Sequence, residues 1–148
     1  MSEATLDRIE ALCKTRGVRL TEQRRRVFLV LLEADRPLGA YDIMHALDEQ
    51  SAEGAPKTAP PTVYRALEFL QAQGFVHRIA SIQAFVPCAE PDHKHAGQFL
   101  ICSDCGRVDE LDDQRLGRTV GAAATARGFA SDSHVEVTTR CDDCQETV

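Results

Sequence analysis

The 148-residue chain contains no apolar run approaching the about 20 residues that a membrane-crossing helix needs. Its first residues, Met1 to Arg8, are polar and acidic and do not resemble a secretory leader. No low-complexity run is present, and the only internal repeat is a pair of short cysteine motifs. No motif sets an activated nucleophile beside a base, so nothing points to covalent catalysis. These absences predict a soluble, cytoplasmic protein that is not an enzyme and has no membrane partner or small-molecule substrate.

Excess positive charge is also missing, since 17 Lys/Arg stand against 23 Asp/Glu for a net charge of −6. Taken whole, that balance argues against a general nucleic-acid binder. The deficit is local, however. Residues 1–78 hold 11 basic and 11 acidic side chains, whereas residues 79–148 hold 6 and 12. A DNA-contacting surface would therefore belong to the first half, with Arg24, Arg25 and Arg26, joined by Arg16, Arg19 and Arg65, as its basic candidates.

Four of the six cysteines form two pairs, Cys102-Ser-Asp-Cys105 and Cys141-Asp-Asp-Cys144. Two thiolates separated by two residues can turn onto one metal, so two such knuckles supply all four ligands of a tetrahedral zinc and leave it no open position. A disulfide framework is the alternative; the missing leader and the knuckle-like spacing favour zinc. A site closed in this way is structural.

In the first half, Leu6, Ile9, Leu12 and Cys13 recur at helical spacing before Gly17. Cys13 reads as a small buried hydrophobe. Thr21 can cap a second helix that turns Val27, Phe28, Leu31 and Leu32 inward and ends by Pro37. A third helix over about 40–49 buries Ile43, Met44 and Leu47. A fourth opens at Pro60-Pro61-Thr62, with Thr62 a candidate cap, and buries Val63, Ala66, Leu67 and Leu70. That spacing turns Arg65 outward and puts Tyr64 on the flank. After Gly74, the stretches 75–79 and 84–86 predict a short antiparallel hairpin.

Helices and hairpin together make a winged helix-turn-helix, in which Arg65 can bond a guanine edge or a phosphate and Tyr64 a thymine methyl or a phosphate. Tyr41, at the start of the third helix, is equally placed to touch DNA or to cover the core. Beyond a proline-containing connector, strands at 98–102 and near Val108, a helix over 112–127 and a strand over 134–139 predict a small α/β domain. The class is α+β. Its divisions are a winged-helix DNA-binding domain over 1–86, a hinge over 87–95 and a zinc-containing domain over 96–148.

A second constellation lies across that hinge. His77, Cys88, His95 and Glu110 are individually ordinary as a surface imidazole, a buried thiol, a hinge histidine and a solvated carboxylate. Together they make a four-coordinate zinc set, and the soft Cys88 thiolate favours zinc over manganese or magnesium. His93, His134 and acids such as Asp92 are donors for a further set. A metal hydrolase using Glu110 as base would need an open coordination position, and a protein-binding zinc ribbon would leave the first half without a role.

The chain resembles the ferric uptake regulator superfamily and, within it, the zinc uptake regulator branch. The resemblance is carried by Val18-Arg19-Leu20-Thr21-Glu22-Gln23-Arg24, Ala40-Tyr41-Asp42, Pro60-Pro61-Thr62-Val63-Tyr64-Arg65-Ala66-Leu67, Gln73-Gly74-Phe75-Val76-His77 and Ile101-Cys102-Ser-Asp-Cys105-Gly106. It implies a dimeric repressor that binds operator DNA when zinc-loaded and controls zinc-uptake genes. It also implies two zinc ions per chain, a structural one on Cys102, Cys105, Cys141 and Cys144 and a regulatory one on His77, Cys88, His95 and Glu110. DNA contacts map to Tyr41 and Arg65, with Thr62, Tyr64 and Arg24 added from their helical positions.

Iron-sensing relatives carry His-His-Asp-His before the first cysteine pair. Here the positions read Ala96-Gly97-Gln98-Phe99, which weakens the alternative of an iron, manganese or peroxide sensor. The acid and base that pair dimers on DNA in zinc-sensing relatives correspond to His45 and Asp48, which leaves dimer-on-dimer binding open.

Overall fold

A computed structural model describes residues 2–92 and 95–146. His93, one of the donors considered for a further metal set, lies outside the described residues. The chain divides into two compact units, Met1–Lys94 and His95–Val148. Among the described residues no helix is long and apolar enough to cross a membrane.

The first unit opens with α1, Ser2–Arg16, which buries Leu6, Ile9 and Cys13 along one stripe. Gly17 follows at φ +67°, a left-handed turn that suits glycine and closes the helix. Helix α2, Glu22–Glu33, is capped by Thr21, whose side chain accepts from the Arg24 amide at 3.4 Å. Helices α3, Ala40–Gln50, and α4, Pro60–Ala72, complete the helical layer. Val27, Phe28, Leu31, Ile43, Leu47, Val63, Leu67 and Leu70 fill one core. Each such burial contributes roughly 1.5–3 kcal/mol relative to exposure.

Strands β1, Val76–Ile79, and β2, Ala84–Pro87, pair antiparallel, with His77 opposite Val86. Leu38 adds a bridge to Phe85, so the wing is stitched to the segment between α2 and α3. The architecture is the winged helix-turn-helix that the apolar spacing predicts.

Three local expectations are corrected. Helix α2 leaves helical geometry at Ala34, ahead of Pro37, so the ring does not set its end. Thr62 does not cap α4, because the helix starts earlier: Ala59 is the cap residue, and Pro60 and Pro61 occupy the first positions, where a missing N–H costs nothing. Met44 is only partly buried and packs at the edge of the core.

The second unit is a three-stranded sheet with a crossover helix. Strands β3, Gln98–Cys102, β4, Val108–Glu110, and β5, Val135–Thr139, lie in the order β4-β3-β5. The β3–β4 pair is antiparallel and the β3–β5 pair parallel, which requires the connection through α5, Gln114–Ala126. Asp113 caps α5 by accepting from the Leu116 amide at 3.0 Å.

Gln98, buried on the central strand, fixes that same cap residue. Its Nε2 donates to the Asp113 carbonyl at 3.0 Å and its Oε1 accepts from the Asp113 amide at 3.1 Å. Gly121 lets α5 approach the returning chain, since a Cβ there would lie 2.9 Å from the Ser131 carbonyl oxygen. The buried apolar set of this unit is small, with Phe99, Ile101 and Cys102 as its members. A four-residue helix α6, Asp142–Gln145, holds the last cysteine and was not visible as a periodic pattern.

Candidate metal centres and nucleic-acid interface

Cys102 ends the central strand β3, Cys105 follows a turn in which the Gly106 amide donates to the Cys102 carbonyl at 3.1 Å, and Cys141 and Cys144 sit at and within α6. The four sulfur atoms lie within 4.8 Å of one another. Cys105 Sγ and Cys141 Sγ are 3.7 Å apart. A zinc tetrahedron with arms of about 2.3 Å has sulfur–sulfur edges of about 3.8 Å, so this separation fits a shared ion. None of the four cysteines is joined in a disulfide in this structure.

The protonation chemistry points the same way. Amide donors of Cys105 and Cys141 hold the Cys102 thiol down to about 6. Hydrogen bonds to the crowded Cys141 and Cys102 sulfurs hold the proton on Cys144 and push its pKa strongly upward, with desolvation and the charge of Cys102 adding to the effect. A dication shared by the four sulfurs relieves that conflict and releases protons on binding.

The other donor residues come in two pairs, one on each unit. In the first, His77 lies on β1 and Cys88 follows the end of β2. The Cys88 amide donates to the Phe75 carbonyl at 2.8 Å, which continues the hairpin ladder by one residue. The ligand atoms of His77 and Cys88 lie within 4.8 Å of one another, and the Cys88 sulfur accepts from the Glu90 amide at 3.4 Å. In the second unit, Glu110 ends β4 opposite Phe99, and His95 precedes β3. His95 Nε2 and Glu110 Oε1 are 3.0 Å apart, with both side chains largely shielded. His134, the other histidine considered as a metal donor, stands 3.7 Å from Glu136 and packs its ring on Phe99.

On the first unit, Tyr41 is 64% exposed and Tyr64 45% exposed, an unusual display for large aromatic side chains. Both line an open groove of about 330 Å³ together with Asp42, Arg78 and Gln83, so the start of α3, the flank of α4 and the wing share one surface. Arg65 is exposed on α4 and Thr62 is half-buried in its first turn. Arg24 is placed differently: its Nη1 donates to the Arg19 carbonyl at 2.7 Å and its guanidinium stacks 3.8 Å from the Phe69 ring centre.

The sequence reading missed Arg78 and Gln83 as members of the groove. Arg78 could have been suspected, because it occupies the outward position of a strand whose neighbour Ile79 is buried.

Asp48 accepts from the Thr58 amide at 2.8 Å, and this bond lowers its carboxyl pKa. It therefore anchors the loop that leads into α4, while His45 is exposed one turn away.

Replacing Cys105 by serine is expected to remove one zinc equivalent per chain and with it the order of the second unit. Structural zinc supplies on the order of 10 kcal/mol in small metallo-domains, more than a small core can replace. Metal analysis beside an amide NMR spectrum checks this. Full zinc content with β3–β5 intact would contradict the assignment.

Residues 15–138 match the model of the ferric uptake regulator family. The chain is 36% identical over 147 residues to the zinc uptake regulation protein of Escherichia coli (strain K12), covering 98% of this chain and 84% of the relative. A zinc uptake regulator solved with zinc and DNA is similar at a TM-score of 0.88 and 35% identity, over 99% of this chain and 97% of that one. The holo form of XcZur is similar at a TM-score of 0.85 and 37% identity, over 97% and 98%. With the winged helix, the four-sulfur cluster and these likenesses together, the chain belongs to the ferric uptake regulator family.

Proposed function

We propose that this chain is a zinc-responsive transcriptional repressor, binding double-stranded operator DNA as a homodimer when zinc-loaded and controlling zinc-uptake genes. It is a cytoplasmic regulator and not an enzyme. Each chain holds two zinc ions, a structural one on Cys102, Cys105, Cys141 and Cys144 and a regulatory one on His77, Cys88, His95 and Glu110. The observation that carries the reading is the division of the regulatory donors: His77 with Cys88 belongs to one unit, His95 with Glu110 to the other.

Two protein donors hold zinc weakly and four hold it well, so the ion gains most by binding both pairs at once. Occupancy then fixes the angle at the hinge over 87–95, and in a dimer that angle sets the spacing of two α4 helices against two half-sites. A coupling free energy of about 1–3 kcal/mol is enough to change DNA affinity roughly 5–150-fold. Dimerisation falls to the second unit, over 96–148, where edge strand β5 carries the exposed Val137 and the chain after α5 exposes Phe129.

DNA contact falls to Tyr41, Thr62, Tyr64 and Arg65, with Arg78 of the wing beside them. Arg24 supports α4 through its stack on Phe69 and is left with less of its guanidinium for phosphate. The iron, manganese or peroxide alternative is disfavoured by the use of Gly97, Gln98 and Phe99. A Cβ at Gly97 would collide with the Phe99 ring, Gln98 is spent on Asp113, and Phe99 is core.

Two variants separate the roles, using a duplex selected from a random-sequence pool by the zinc-loaded wild-type protein. Cys88→Ser is expected to abolish the zinc response of DNA binding while keeping one zinc per chain. An unchanged response in buffered zinc would remove Cys88 from the regulatory site. Arg65→Ala is expected to weaken DNA binding by about 1–3 kcal/mol with zinc content unchanged; loss of zinc in that variant would contradict the division of labour.

A further inference from the structure

Arg16 is the last residue of α1, and its side chain reaches two segments that are far apart in sequence. Nη1 donates to the Gln73 carbonyl at 2.7 Å and to Gln73 Oε1 at 3.3 Å, while Nη2 donates to the Pro91 carbonyl at 3.3 Å. The guanidinium carbon also stands 5.4 Å from the centre of the Phe75 ring. Gln73 is the C-cap of α4, the helix that carries Tyr64 and Arg65. Pro91 lies three residues after Cys88, whose amide is bonded to the Phe75 carbonyl. One guanidinium thus joins the end of the candidate recognition helix to the chain that bears a regulatory zinc donor.

We propose that Arg16 is a positioning residue that couples the Cys88 segment to α4, so that zinc held at Cys88 is felt at the recognition helix. The inference rests on the regulatory reading of His77, Cys88, His95 and Glu110. The bonds of Arg16 go to the Gln73 and Pro91 carbonyls and to the Gln73 side chain, so it acts through those partners.

The chemistry suits a coupler. Arginine is planar and always charged, and its several donors are fixed relative to one another, so a shift of the Pro91 carbonyl changes what remains for Gln73. Its charge at the last turn of α4 also complements the negative end of that helix, which favours keeping the contact. Arg8 reinforces the same connector from the middle of α1. Its Nε donates to Asp92 Oδ1 at 3.1 Å, and Nη2 lies 3.8 Å from Glu90. Those contacts are solvent-exposed and correspondingly weak, whereas the Arg16 bonds are partly buried.

The test is a thermodynamic cycle on the full-length dimer with the selected duplex, measured at two buffered zinc levels that leave one and two zinc ions bound per chain. The readout is the ratio of DNA affinities at the two levels. Wild type is expected to show a ratio of about 5–150. Arg16→Ala is expected to lower that ratio at least fivefold with two zinc ions still bound at the higher level.

Arg16→Lys keeps the charge but loses the fork, and it is expected to lower the ratio as well. It decides the question if the alanine variant does not fold. A purely structural Arg16 would weaken DNA binding equally at both zinc levels and leave the wild-type ratio, which overturns the proposal. Loss of the second zinc in either variant also overturns it, since Arg16 would then build the site and not transmit from it. A wild-type ratio of one is a separate failure, read before any variant, and it overturns the regulatory reading itself.

Discussion

Four sulfur atoms within 4.8 Å of one another form a contact that thiolates cannot sustain alone, and the second unit is arranged around it. Cys102 closes the central strand, Cys105 turns back toward β4, and Cys141 and Cys144 carry the chain's last helix, so a single ion there joins the beginning and end of the sheet. The apolar alternative is thin. Among the described residues, Phe99, Ile101 and Cys102 are the buried apolar side chains of this unit, too few to hold a sheet with an exposed helix by burial alone. In the proposed reading, metal coordination at the four sulfurs would take the place of the core that the first unit builds from four helices.

In the proposed reading the two zinc ions of a chain are put to different uses. A closed four-cysteine ion has no vacant position and no reason to leave. His77 with Cys88 in the first unit and His95 with Glu110 in the second each offer two donors, and the proposed regulatory ion needs more than either pair supplies. In that proposal zinc selectivity would follow from donor type: one thiolate and two imidazoles suit zinc, and the positions that would supply more histidines are occupied by a glycine, a hydrogen-bonded glutamine and a core phenylalanine.

Much of this was legible in the sequence, and the reasons differ by feature. The inward positions of α2, α3 and α4 follow a helical period that burial enforces, so Ile43, Leu47, Val63 and Leu67 fall where the spacing puts them. The cysteine knuckles were legible because their chemistry is local. Thr21 and Gly17 mark helix ends as expected, but the start of α4 was not legible: Ala59, not Thr62, is the cap residue, since two prolines are accommodated inside the first turn. Tertiary hydrogen bonds left no periodic trace either. Gln98 in an apolar strand gives no hint that it secures Asp113, and Arg24 among three arginines gives no hint that it stacks on Phe69. Arg16 counts by sequence among the basic candidates for DNA contact, and nothing there points to its bonds with Gln73 and Pro91.

Each chain is proposed to carry two zinc ions with different ligand chemistry. Anomalous scattering at the zinc edge from crystals of the purified, zinc-loaded protein would locate them. Two peaks per chain are expected, one inside Cys102, Cys105, Cys141 and Cys144 and one bounded by His77, Cys88, His95 and Glu110. A single peak in the four sulfurs, with no metal at the mixed donors, would contradict the proposal.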